Sequence, residues 1–235
     1  MAVISIAKKA NIEQKFVNGF AKGMMLPGAY PGVDSYKCTL KAGCRVDPHV
    51  YKDKTQILFF TNGTGYIGAS KKAYNITEQA VFVPLFDTEK FFIQAGSDLE
   101  FLEILVTLTE ADIRRLGEMR MALPHCKGLS NCDRYEEAFK GPGVVSYSIL
   151  ASRRLARALM GAAVGMGPSF VGEHAHDIVN QWVYGLPGAA FRFRADGEEV
   201  EVREGDWLYI PEKAKHSVEA KAGERINYLW FEMFV

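Results

Sequence analysis

The stretch that decides the fold is GEHAHDIVNQWVYG, residues 172–185. Two histidines, His174 and His176, stand two apart, with Gln181 and Gly185 behind them. Side chains at i and i+2 on a strand point to the same side, so both imidazoles can look into one interior. Gln181 opens the next apolar run and can reach the same point. Downstream come Gly205, then Leu208-Tyr209-Ile210-Pro211, then His216, which can return from a neighbouring strand. Three imidazoles and a carboxamide on adjacent strands suit a divalent ion of the Zn, Mn, Ni or Fe kind. They leave coordination positions for water or substrate, as a catalytic site requires. We expect one such ion per chain, held by His174, His176, Gln181 and His216.

Working outward, the same pattern occurs earlier in the chain. His49-x-Tyr51 is followed by Gln56 and Gly63, and Val81-Phe82-Val83-Pro84 is followed by Glu89. The separation from histidine to glutamine is identical in the two copies, and Glu89 and His216 both lie five residues past a proline. The chain thus reads as one unit written twice. The first copy keeps one histidine of the three, so its metal set is degenerate; His49, Gln56 and Glu89 are what remains of it.

Both copies consist of short runs rich in Val, Ile, Phe and Tyr, bounded by glycine turns. Examples are Ile57–Thr61, Phe101–Leu108, Phe191–Arg194 and Trp207–Pro211. Such spacing predicts an all-β protein of two antiparallel sandwiches or barrels. Asp196-Gly197 between two runs marks a tight hairpin. Thr109-Glu110-Ala111-Asp112 reads as a helix start, with a hydroxyl cap and acids in the first turn. The expected domains are 1–108 and 144–235, with 109–143 as a short helical linker.

The paired motifs resemble the cupin superfamily. Its first motif sets a glycine before His-x-His, a glutamate and a further glycine; its second sets a glycine and a proline before a histidine. Gly167 leads into His174-x-His176 here, Gln181 stands at the glutamate position, and Gly205, Pro211 and His216 carry the second motif. The resemblance implies a bicupin of two jelly-roll β-barrels from an internal duplication. It leaves the chemistry open, because the fold hosts many reactions. Three histidines with glutamine are similar to the sites of cupins that open or isomerise unsaturated uronate sugars, and of some polyketide cyclases.

A neutral amide in place of glutamate leaves a bound ion more electrophilic, which suits Lewis-acid work on an oxygenated small molecule. The expected function is therefore an isomerase or lyase that enolises a small sugar, sugar acid, or keto or hydroxy acid. Alternatives are a three-histidine Fe-dependent dioxygenase and a non-catalytic small-molecule-binding bicupin. Arg192 and Arg194 are candidates for a substrate carboxylate if they face inward. The other reading sets Phe191 and Phe193 in the core and the arginines on an outer face. Tyr184, Trp207, Tyr209, Tyr228 and Trp230 read as core aromatics. No general base is legible.

Composition bounds the partners. The 235 residues carry 28 Lys+Arg against 28 Asp+Glu, a formal net charge of zero. No bulk field draws such a chain to nucleic acid or an anionic membrane. Weak self-repulsion favours a homodimer. Cys38, Cys44, Cys126 and Cys132 fit no zinc or redox spacing and suggest reduced thiols in a cytoplasmic protein.

Overall fold

The computed structural model describes residues 3–86, 88–119 and 121–235. The strands of the first half are β1 (Ser5–Ala7), β2 (Phe20–Met25), β3 (Val33–Leu40), β4 (Arg45–Val46), β5 (Lys54–Asn62), β6 (Gly65–Ala69), β7 (Ala73–Ile76), β8 (Ala80–Val83), β9 (Phe91–Ala95) and β10 (Leu99–Thr107). A helix α1 (Glu110–Met119) follows, then β11 (His125–Gly128) and β12 (Asp133–Tyr135). The second half holds β13 (Val145–Leu155), β14 (Ala158–Met166), β15 (Ser169–His174), β16 (Val179–Gly185), β17 (Ala190–Ala195), β18 (Glu198–Arg203), β19 (Trp207–Ile210), β20 (His216–Ala220) and β21 (Arg225–Phe234). All the observed pairings between these strands are antiparallel.

The two halves repeat one strand order, the second with one extra edge strand, β12. In the first, the larger sheet runs β11-β8-β5-β10-β3-β2 and the smaller β4-β9-β6-β7. In the second, the larger runs β1-β19-β16-β21-β14-β13-β12, while β15, β20, β17 and β18 pair in the order of the smaller. Thus β5 corresponds to β16, β10 to β21 and β9 to β20, and each half is a jelly roll. Among the described residues, hydrogen bonding does not close either into a ring. The first half keeps two separate sheets, and in the second a single pairing, Ala190 with Arg225, joins them. A jelly roll packs two sheets face to face and needs no such closure.

Contacts divide the chain into two compact units, Ile12–Cys132 and, together, the residues up to Asn11 with Asp133–Val235. This division differs from boundaries at 108 and 144 in two ways. β1 lies on the edge of β19, tied further by Glu198, whose carboxylate accepts from the Val3 and Ile4 amides at 2.8 and 3.0 Å. The stretch 109–143 is only partly helical, since β11 pairs with β8 and β12 with β13. Sheet edges need covering, and short strands from either end of a repeat supply the cover.

Local sequence accounts for the elements that shape the site. Thr109 and Asp112 form a reciprocal cap: the Asp112 amide donates to Thr109 Oγ1 at 3.2 Å, and the Thr109 amide to Asp112 Oδ2 at 2.9 Å. Asp196 and Gly197 take φ of 44° and 86°, as a tight hairpin between β17 and β18 demands. Along β17, Phe191 and Phe193 are buried in the core with Val183, Leu208 and Ile226. Arg192 and Arg194, which alternate with them, point the other way.

Candidate metal centre

β15 and β20 bring the histidines together. His174, the last residue of β15, is paired across the ladder with His216, the first of β20. The pairing slips between Val171 and His174, a bulge that re-aims the strand end. His176 lies two residues beyond the strand rather than on it, and its carbonyl accepts from the Lys213 amide at 2.8 Å. One ring nitrogen from each of His174, His176 and His216 falls within 4.8 Å of the others. Among the described residues this is the one such group; no counterpart forms at His49.

The polarity of the site suits a cation. The Nδ1 atoms of His174 and His216 sit 2.8 and 3.0 Å from the carbonyls of Gly172 and Ala214. Donation there places the proton on Nδ1 and leaves a lone pair on Nε2, the usual second-sphere arrangement behind a metal-ligating imidazole. Nε2 of His216 is buried with no hydrogen-bond partner, and so is Oε1 of Gln181. Buried acceptors without partners are costly, and a divalent ion would satisfy both. Gln181 stands on β16 and lines the same cavity as His174 and His176. Burial, followed by the proximity of His174, pushes His216 down to about 3, and burial also lowers His174 and His176. All three are therefore neutral and ready to ligate at neutral pH.

Acidic and basic groups that sequence reading missed complete the cavity. Glu232 on β21 is the cross-strand partner of Gln181, and its Oε1 lies 3.4 Å from His176 Nε2. Burial, then the charge of Glu137, raises its carboxyl to about 7. Tyr135, Glu137, Phe139 and Lys140, from the connection between the repeats, form another wall. The Phe139 ring packs 4.4 Å from that of His174. Tyr228 and Trp230, read from sequence as core aromatics, line the cavity as well. The cavity volume is about 210 Å³, enough for a small metabolite.

Arg192 and Arg194 do not reach this cavity. Arg194 pairs with Glu199 at 2.6 Å and Glu219 at 2.9 Å on the outer face, and Arg192 lies 3.9 Å from Glu199. Strand alternation decides this, because the intervening Phe193 turns inward and stacks on His216 at 5.7 Å. Of the two readings of β17, the structure has the one with Phe191 and Phe193 in the core and the arginines outside, so they are not placed to hold a carboxylate in this cavity. Glu89 joins no ligand set; Ser70 holds its carboxylate through its amide and hydroxyl.

Fold and site together describe two jelly rolls, with a three-histidine cluster of metal-ligand type in the second and no such cluster among the described residues of the first. Residues 164–232 match the family model of the cupin domain. No protein of curated function matches the sequence. Among solved structures, a protein of Pseudomonas aeruginosa described as glyoxylate-induced superposes with a TM-score of 0.80 at 11% identity, covering 98% of this chain and 89% of that one. The oxalate decarboxylase of Lactobacillus farciminis gives 0.75 at 12% identity, over 97% of this chain and 86% of the other. A Bacillus subtilis oxalate decarboxylase gives 0.75 at 14%, over 98% and 79%. At these identities the likeness is one of fold. All four cysteines are free, and no helix among the described residues is long and apolar enough to cross a membrane.

Proposed function

We propose that the chain is a metal-dependent isomerase or lyase that enolises a small keto acid, hydroxy acid, sugar or sugar acid. His174, His176, Gln181 and His216 would hold one divalent ion. The observation that carries this reading is the pair of buried, unpartnered acceptors, His216 Nε2 and Gln181 Oε1, beside two further histidines whose ring nitrogens lie within 4.8 Å of that of His216. When bound, the ion supplies Lewis-acid polarisation of a substrate oxygen, and an all-neutral ligand set leaves its charge undiminished.

The chain's own groups supply the rest. Glu232 reaches the cavity beside His176 and is the carboxyl placed to take a proton from substrate carbon and return it. Phe139, Tyr228 and Trp230 keep the wall apolar and exclude water from a charge-separated state. The decarboxylase neighbours are consistent with lyase chemistry on this scaffold.

The test is metal analysis of the purified chain, followed by incubation with small hydroxy, keto and sugar acids in deuterated water without oxygen. We expect about one equivalent of metal and deuterium incorporation at the carbon next to a carbonyl. Turnover only in the presence of oxygen would assign a dioxygenase instead, and binding with no exchange a sensor.

A further inference from the structure

Lys140 is an unusual residue for its place in the chain. It lies in the polar connection between the repeats, where lysines ordinarily project into solvent, yet its side chain is 6% exposed. Withdrawing an ammonium from water costs several kcal/mol unless partners replace the lost solvation, roughly as for any buried ion. The backbone around it is clipped to the strand that carries His174. Lys140 bridges to Val171, the Gly172 amide donates to the Phe139 carbonyl at 2.7 Å, and the Gly141 amide to the Phe170 carbonyl at 2.8 Å. Gly172 has a double duty, since its own carbonyl orients His174. A Cβ at Gly172 would meet the Phe139 carbonyl at 2.8 Å, so the close approach requires glycine there. Lys140 is therefore held in register with the histidines.

Two partners meet the ammonium, Glu137 and the fully buried Ser146. Lysine has three donors, so one hydrogen remains for a ligand. The Tyr135 and Phe139 rings, each 5.6 Å from Nζ, shield it from solvent. Among the residues lining the cavity it is the one fixed cation of lysine or arginine type.

We propose that Lys140 is the carboxylate-binding group of this cavity, and that the ligand is an α-hydroxy or α-keto acid with a single carboxylate. The assignment rests on the proposed metal site and narrows its substrate class. An ion of charge two, with Lys140 against Glu137 and Glu232, leaves a net positive interior that one anionic group neutralises. A second carboxylate would have no cation to meet and would face the two glutamates. The ligand's hydroxyl or keto oxygen would then turn toward the histidines, and its carboxylate toward Nζ.

Glycolate and its uncharged analogue glycolamide serve as probes for calorimetric titration of the zinc-loaded full chain. Lys140→Met should weaken glycolate binding tenfold or more, with glycolamide affinity and zinc content unchanged, and Lys140→Arg should restore part of the loss. Because Lys140→Met also strands Glu137, a second variant guards against misfolding. Glu137→Gln frees the ammonium of its counter-ion and should tighten glycolate binding. Unchanged glycolate affinity in Lys140→Met, or weakened affinity in Glu137→Gln, overturns the assignment while leaving the metal site standing. A chain that takes up no zinc overturns the proposed function, and this assignment with it.

Discussion

The two jelly rolls share one strand order but fill their interiors by opposite means. In the second, three histidines and a glutamine converge, with His216 Nε2 and Gln181 Oε1 buried and unpartnered. In the first, the corresponding region holds an ion pair of the chain's own. Lys22 on β2 meets Glu103 on β10 at 2.5 Å, and Gln56 Nε2 donates to the other Glu103 oxygen at 2.6 Å. Gln56 is the repeat mate of Gln181, yet here its amide faces an internal carboxylate. The Lys22 ammonium lies 3.9 Å from the centre of the Tyr36 ring. Both rolls hold a lysine against a glutamate, Lys22 with Glu103 in the first and Lys140 with Glu137 in the second, but only the second adds a cluster of histidines able to receive an ion. Duplication thus left one scaffold with two answers to the same need for balanced polarity.

The sharpest separation is expected in acid. His216 is neutral in the fold because burial pushes it down to about 3, whereas in the unfolded chain it titrates near 6.5. The unfolded state then binds the extra proton across that window, so stability is full above about pH 6.5 and falls as pH drops toward 3. The loss reaches on the order of 4 kcal/mol at the acid end. Urea unfolding of the metal-free full chain at stepped pH should show this slope, and His216→Phe should flatten it. An unaltered slope in that variant would mean that another group governs acid sensitivity. Removing a ligand comes next in size. His176→Ala should weaken metal binding at least a hundredfold, about 3 kcal/mol, read as zinc retained after dialysis against a chelator.

In the first roll the expected response is structural. Lys22→Met removes the cation and strands Glu103, which is 5% exposed. Breaking a buried pair costs about 3–5 kcal/mol, and because Lys22 is partly exposed we expect roughly 2. The change should appear in denaturant unfolding with zinc content untouched. If Lys22→Met instead takes up a second equivalent of zinc, the first roll is a latent metal site that its own lysine has been blocking.

How much of this was legible in the sequence follows from the range of each interaction. His174, His176, Gln181 and His216 could be read because strand alternation and spacing are local rules. The hairpin at Asp196-Gly197 and the cap at Thr109 were legible for the same reason. Glu232 was not, since only the pairing of β16 with β21 brings it opposite Gln181. A signal did exist: one acid inside the otherwise apolar run Tyr228 to Phe234. Glu137 and Lys140 were hidden more deeply, because a polar connection between repeats looks the same whether it is solvated or folded back against β15. The arginines of β17 show the converse limit. Alternation offered two faces, and only the packing of Phe193 against His216 selected one.

The smallest expected effect tests the repeat itself. His49 is the mate of His174 by spacing, but its ring packs edge-on against Tyr51 at 4.6 Å, and no metal-type group forms around it. A phenol with a pKa of about 10 is a poor ligand at neutral pH, and Glu89 is engaged by Ser70. The His49 carbonyl, not its ring, is what Gln56 touches, through Nε2 at 3.2 Å. His49→Ala keeps that carbonyl and deletes only the ring. Zinc content should therefore stay near one equivalent, and stability should shift by about 1 kcal/mol or less, the scale of one exposed-edge aromatic contact. Loss of zinc in this variant, with the fold intact by circular dichroism, would show that the ion resides in the first jelly roll and that the two interiors have been assigned the wrong way round.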